Sequence, residues 1–222
     1  QGDFRHVGEW VLNATPLRGT IMEVIMKTRL AILILVIGLL LAIQVSPVDA
    51  RSYYSERFDV QIDIQDNGSL IVTETVVFYF EGGPYTYAFR DLALRELDRV
   101  EILEASMDGQ VLPQGDQAGQ VEVHADNDPI EITWHFSPTS DTARTFTLKY
   151  LVEGNIRRVD GLDALSWRAI PEEHEYVIRS STISIQYPPD LTPTGDPTLK
   201  GAQAQLEQNP GQIVFKTTNI LK

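Results

Sequence analysis

Residues 63 to 74 approach the spacing with which an EF-hand loop binds calcium. Asp63 takes the first place, Gly68 the sixth and Glu74 the twelfth. Such a loop gathers oxygen atoms around one cation and needs a helix on each side. Here both flanks alternate between apolar and polar residues, which is typical of half-buried strands. The pattern therefore predicts a β-hairpin turn at Asn67-Gly68, with calcium binding as the alternative.

Three histidines could ligate a metal. His124 and His135 lie on neighbouring predicted strands, with Asp126 and Asp128 near them, and His174 follows later in the chain. Zinc needs three or four convergent ligands, and no spaced motif supplies them. The sequence predicts surface histidines, no metal site and no cofactor.

Nucleophilic and nucleotide chemistry lack their motifs. The chain has no cysteine, and no Gly-x-Ser-x-Gly elbow, Walker loop or dinucleotide glycine fingerprint occurs in it. We predict no catalytic residues and a protein that is not an enzyme. Two of its many carboxylates at glycosidase spacing would still permit a hydrolase, which stays open.

Glu74 interrupts an apolar row on the second predicted strand. If that face is the core, a carboxylate points inward and needs a charged, hydrogen-bonded partner. The candidates are Arg90 and Arg168, and we select Arg90 because the chain returns from the strand close to it. The alternative is a bulge that turns Glu74 to solvent. The apolar row that it interrupts consists of Leu70, Val72, Val76, Phe78 and Phe80.

Aromatic residues follow that strand in what we interpret as a loop. Tyr85, Tyr87 and Phe89 come directly after Gly82-Gly83-Pro84. Such a loop could stack on sugar rings or anchor a protein partner. The competing interpretation, which we prefer, folds the three rings over an open end of the domain.

The elements that must position these residues are mostly strands. After residue 50 no long helical period occurs, although 92–99 could form one or two helical turns. Many short strands divided by turns predict an all-β fold, an antiparallel β-sandwich of the immunoglobulin-like kind. The predicted strands are 58–64, 70–80, 100–107, 120–124, 130–136, 145–153, 165–170, 177–187 and 212–218.

The front of the chain differs from the rest. The basic stretch at 26–29, the apolar run that follows Arg29 and the small residues Val48 and Ala50 predict a helical signal peptide over 26–50, cleaved after Ala50. An uncleaved membrane anchor is the alternative, because the uncharged run from Leu30 to Val48 is near the length of about 18–20 residues that spans a bilayer. Residues 1–25 remain unassigned, and 51–222 form the exported domain. The net charge of −13 argues against nucleic acid as a partner.

Several short motifs in 53–222 carry a family resemblance. They are Asn67-Gly68-Ser69-Leu70, Val72-Thr73-Glu74, Phe78-Tyr79-Phe80, Phe89-Arg90-Asp91-Leu92, Leu165-Ser166-Trp167 and Tyr187-Pro188. Together they resemble the N-terminal region of the predicted membrane proteins called domain of unknown function 2207. The resemblance implies an extracytoplasmic domain followed by transmembrane segments outside this chain. We therefore expect a domain truncated at its C-terminus, with an unpaired sheet edge beside residues 212–218.

These observations converge on one functional expectation. We expect an exported, membrane-associated β-sandwich that acts as a non-catalytic binding or structural module of the cell envelope. Its partner would be an envelope protein or a glycan. The alternatives are a carbohydrate-binding module built on Tyr85, Tyr87 and Phe89, and a cell-envelope hydrolase with two facing carboxylates in a cleft.

Overall fold

A computed structural model describes residues 22–23, 25–33, 51–94, 99–171 and 174–221. The chain divides into two compact units, Gln1–Val48 and Asp49–Lys222. In the first unit, residues 22–23 and 25–33 are helical, and Lys27 pairs with Glu23 at 3.3 Å. Within the described residues, no helix combines the length and the apolar character that crossing a membrane requires. Most of the predicted signal peptide, residues 34–50, and residues 1–21 lie outside the described residues.

The second unit is all-β, as predicted. Its strands fall into sheets of eight, three and two strands, and the eight-stranded sheet has the order β12-β13-β11-β1-β2-β8-β4-β5. The three-stranded sheet has the order β3-β7-β6, and β9 and β10 form a separate hairpin. The strands are β1 (Ser52–Ile64), β2 (Leu70–Glu81), β3 (Tyr85–Leu92), β4 (Arg99–Met107), β5 (Gln110–Val111), β6 (Gln120–His124), β7 (Ile130–Thr139), β8 (Thr142–Glu153), β9 (Ile156–Val159), β10 (Leu162–Leu165), β11 (Thr182–Gln186), β12 (Ala204–Asn209) and β13 (Gln212–Thr217).

The predicted hairpin turn at Asn67-Gly68 is confirmed. Gly68 has a φ of 80°, a conformation that glycine adopts without a steric penalty. The Asn67 Oδ1 atom accepts hydrogen bonds from the backbone N–H of Ser69 at 3.0 Å and from its hydroxyl at 2.7 Å. The turn joins antiparallel strands rather than helices, so its surroundings are not those of an EF-hand.

One strand pairing departs from an antiparallel arrangement. β11 runs parallel to β1, with Val60 opposite Ile183. A parallel pair needs a long crossover rather than a tight turn. Here the connection from β1 to β11 contains strands β2 to β10 and is therefore long enough.

The inward faces of the eight-stranded and three-stranded sheets meet in one apolar core. The Phe146 ring of β8 lies 5.7 Å from that of Trp134 and 5.8 Å from that of Phe136, both on β7. Phe136 also lies 5.7 Å from Phe80 of β2. These ring contacts hold the two sheets against each other.

Two local predictions were wrong. Residues 85–89 form the first part of strand β3 rather than a loop, because the turn is completed by Gly82-Gly83-Pro84 and pairing with β7 follows. The strand expected over 165–170 ends at Leu165, as β10, and Trp167 is half-buried in an irregular segment. The helical turns expected over 92–99 fall partly on 95–98, which lie outside the described residues; β3 ends at Leu92 and β4 begins at Arg99.

The expected unpaired edge beside residues 212–218 is also wrong. Strand β13 lies inside the eight-stranded sheet, paired with β11 on one side and with β12 on the other. The reason is the unpredicted strand β12, whose mostly exposed and polar residues give no alternating signal. The edge position belongs to β12.

We expect Phe146→Ala to destabilise the domain by about 3–5 kcal/mol, because it removes the ring that joins the aromatic residues of both sheets. Urea unfolding of the full chain measures the change. Val159→Ala, at an exposed position, serves as the control and should alter the free energy of unfolding by less than about 0.5 kcal/mol. Equal effects of the two substitutions would contradict a core centred on Phe146.

Candidate functional site

Glu74 points into the core. Its neighbours on the same face of β2, Val72 and Val76, are buried, and so are Val60 and Leu148, which lie opposite it on the flanking strands. The residue is only 2% exposed. The regular alternation of β2 therefore forces a carboxylate into apolar surroundings, where it is costly unless it is paired.

Arg90 reaches Glu74 from the other sheet. Its Nε donates to the Glu74 Oε2 at 2.7 Å, and its Nη2 donates to the Oε1 at 2.9 Å. This is the bidentate geometry that a guanidinium makes with a carboxylate. The Arg90 side chain is 18% exposed, and its Nη1 donates to the backbone oxygen of Asp91 at 2.7 Å. The structure thus brings together the two residues that the sequence suggested as a pair.

Tyr150 completes the coordination of Glu74. Its hydroxyl donates to the Glu74 Oε1 at 2.8 Å, so the carboxylate accepts three hydrogen bonds. Burial raises the pKa of Tyr150 well above its ordinary value, and the nearby Glu74 carboxylate raises it further. Burial alone would lower the pKa of Arg90, but the carboxylate outweighs it and keeps that pKa above its usual range. The guanidinium and the phenol accordingly stay protonated as they donate to the Glu74 carboxyl group.

The three aromatic residues of the predicted loop differ in their exposure. Tyr85 is half-buried: its ring lies 4.8 Å from that of Phe80, and its hydroxyl donates to the backbone oxygen of Ser52 at 3.0 Å. Tyr87 and Phe89 lie on the outward face of β3 and are 57% and 62% exposed. A bulge between residues 85 and 87 produces this separation.

The outward face of the three-stranded sheet continues from these two rings. Tyr87 lies opposite His135, Phe89 opposite Thr133, and Asp91 opposite Glu131. Strand β6 contributes the outward residues Gln120, Glu122 and His124. We call this set of nine residues the β3–β7–β6 face. Sequence reasoning missed it because its members come from three separate segments.

The two histidines of this face share one carboxylate. The Glu122 oxygens lie 3.2 Å from His124 Nε2 and 3.4 Å from His135 Nε2. Across the described ranges, no group of three or more ligating side chains is placed to hold a metal ion. His174 lies elsewhere, and its ring contacts Tyr176.

An open cleft of about 1200 Å³ lies at the end of the sheet that contains the β1–β2 turn. Its walls come from that turn, from the β9–β10 hairpin and from residues 188–198. No lysine or arginine is among the described residues that line it, whereas its carboxylates are Asp66, Glu153, Asp163, Asp190 and Asp196. Loops that are distant in sequence form the cleft, so no local motif in the sequence predicts it.

We expect Glu74→Gln to destabilise the domain by about 3–5 kcal/mol, because it leaves the Arg90 charge in the core without its counter-ion. Chemical unfolding measures the loss. Lys216→Gln breaks the exposed pair of Lys216 with Glu207 and should cost about 0–1 kcal/mol. The double variant Glu74→Leu, Arg90→Met removes both charges and should be more stable than Glu74→Gln. A Glu74→Gln protein as stable as its parent would refute a buried ion pair.

Alkaline pH should weaken the domain through Tyr176. Burial raises the pKa of Tyr176 from 10.0 to about 12, while Arg90 lowers it and Glu74 raises it. Since the unfolded chain loses this proton first, the stabilisation is complete below about pH 10 and declines as the pH rises towards about 12. Unfolding free energies measured across that range should fall less steeply for Tyr176→Phe than for the parent. The exposed Tyr87→Phe is the control, and an identical slope for Tyr176→Phe would contradict this assignment.

The solved structures that align with this chain are distant from it. Leukotriene A4 hydrolase from Saccharomyces cerevisiae aligns with 9% identity and a TM-score of 0.47, over 78% of this chain and 29% of that one. An M1 zinc metallopeptidase from Deinococcus radiodurans aligns with 13% identity and a TM-score of 0.44, over 76% of this chain and 39% of that one. This chain thus spans well under half of either enzyme.

A search of curated protein sequences found no match. The family comparison is specific, since one family model matches residues 54–221, which include both partners of the ion pair and the whole β3–β7–β6 face. The chain therefore belongs to the family described as the N-terminal domain of the predicted membrane protein DUF2207.

Proposed function

We propose that this domain is a non-catalytic binding module of the cell envelope. Its fold is a β-sandwich, immunoglobulin-like in its two facing sheets. The predicted signal peptide at 26–50 directs its export, and segments outside this chain hold it at the membrane. The description of the family as a predicted membrane protein supports the membrane association. The binding surface is the β3–β7–β6 face.

One observation carries the assignment of that surface. Tyr87 and Phe89 are adjacent outward residues on β3, and each exposes more than half of its surface. Exposed aromatic residues that lie together on a rigid strand are typical of interaction surfaces. Their strand is fixed from beneath by the Arg90–Glu74 pair, so the two rings are held in place before any partner arrives.

The two alternatives use other features. A carbohydrate-binding module would need the three rings exposed in one plane, and Tyr85 instead packs against Phe80; a glycan would have to bind through Tyr87 and Phe89 alone. An envelope hydrolase would use carboxylates of the open cleft, because both oxygens of Glu74 are engaged by Arg90 and Tyr150.

Cysteine labelling in intact cells tests export and binding together, because the chain has no cysteine of its own. Thr133→Cys places a thiol on the β3–β7–β6 face opposite Phe89, and Thr75→Cys places one on β2. Both threonines are half-buried and lie in strands paired on both sides. A membrane-impermeant maleimide should react several-fold more slowly with the thiol at 133 than with the thiol at 75 in intact cells that contain the complete membrane protein.

The same labelling of the two purified variants provides the reference rates. In the purified chains, a difference in rate between the two thiols reflects local structure alone. Labelling of neither thiol until the cells are made permeable would refute export. A ratio of rates in cells equal to the ratio in the purified chains would refute occupancy of the face.

A further inference from the structure

The three-stranded sheet ends in an open edge. Within the described part of the chain, β3 pairs with β7 and with no strand on its other side. An edge strand directs the N–H and C=O groups of every second residue away from its sheet, where another extended chain can pair with them. β3 has eight residues, enough to template a further strand.

Two of the other sheet edges lack the features of the β3 edge. β12 bears polar side chains such as Gln205 and Glu207. The edge of β6 is covered by the preceding segment, since the N–H of Val121 donates to the oxygen of Pro113 at 3.0 Å and the N–H of Gly115 donates to the oxygen of Val121 at 2.9 Å. β3 has no lysine and no proline, and it presents two aromatic rings instead.

The β3–β7–β6 face beside this edge carries carboxylates. The β3–β7–β6 face contains Asp91, Glu131 and Glu122 and neither lysine nor arginine; Arg90 points inward to Glu74. Asp91 lies directly opposite Glu131, an arrangement of like charges that destabilises a sheet unless a cation approaches. Burial and the charge of Glu131 raise the pKa of Asp91, in accord with this repulsion.

We propose that the free edge of β3 binds an extended basic polypeptide segment as an additional strand. The backbone of the segment pairs with β3, and its alternate lysine or arginine side chains lie over Tyr87 and Phe89 and towards Asp91. Aromatic rings attract such cations through their faces, and strand addition to a sheet edge is an established mode of peptide recognition. This inference rests on the proposed binding function and specifies its partner.

A peptide explains more of the structure than a glycan does. A sugar ring could stack on Tyr87 and Phe89, but it would leave the backbone groups of the β3 edge unpaired and the facing carboxylates Asp91 and Glu131 without a cation. An extended basic chain accounts for the rings, the backbone groups and the carboxylates together. Its backbone pairs with β3, its charges are opposite to those of the carboxylates, and its side chains alternate as those of β3 do.

The probe is an eight-residue peptide of alternating arginine and valine, acetylated, amidated and fluorescently labelled, and titrated into the full 222-residue chain. Phe89→Ala should weaken its binding about tenfold. Leu206→Ala removes an exposed apolar side chain from the β12 edge and should leave binding unchanged. Thermal unfolding should be the same for both variants and the parent, because both side chains are exposed.

Two altered probes separate the parts of the proposal. Methylation of alternate backbone nitrogens removes hydrogen-bond donors and should weaken binding at least about tenfold. Replacement of arginine by glutamate should abolish binding. Chitohexaose serves as the glycan probe and should not bind.

The outcomes distinguish this inference from the proposed function. If the methylated peptide binds as tightly as its parent while Phe89→Ala weakens both, the face binds ligands but strand addition is refuted. If the glutamate peptide binds equally well, the basic partner is refuted. If chitohexaose alone binds, the partner is a glycan. If no probe binds the parent chain, or if Leu206→Ala and Phe89→Ala have equal effects, both the inference and the binding surface are refuted.

Discussion

The bidentate contact between Arg90 and Glu74 determines how the two main sheets meet. Glu74 belongs to the eight-stranded sheet and Arg90 to the three-stranded sheet, so their hydrogen bonds of 2.7 and 2.9 Å cross the core. A carboxylate that is 2% exposed requires this compensation. Because strand residues alternate in direction, an inward Arg90 turns Phe89 and Asp91 outward. The composition of the exposed face is thus a consequence of the buried pair.

Features with a local physical cause were predictable from the sequence. The Asn67-Gly68 hairpin follows from backbone geometry that glycine tolerates. The inward position of Glu74 follows from a clean alternation of apolar residues, and the cost of burying it pointed to a nearby arginine. The all-β class follows in the same way from segments in which apolar and polar residues alternate and which turns separate. Each of these inferences needed only residues close to one another in the chain.

Features assembled from distant segments were not predictable. Residues 85–89 resembled a loop because glycines and a proline precede them, and only the ladder to β7 shows that they continue as a strand. Strand β12 is mostly exposed on both faces, which removes the alternation by which strands are recognised. The open cleft joins three loops, of which the first and the last are over a hundred residues apart. Tertiary pairing rather than local pattern decides all of these.

Stability alone does not account for the open edge of β3. A sheet edge with exposed aromatic residues favours aggregation, and this fold covers the edge of β6 and gives β12 polar side chains. At β3 it instead fixes the strand rigidly through Arg90 while leaving its outer side uncovered. A strand held in a fixed register loses little conformational entropy when a partner pairs with it, so more of the contact energy is retained as affinity. Rigidity beneath an exposed edge therefore favours recognition, and the buried ion pair and the open edge act as parts of one arrangement.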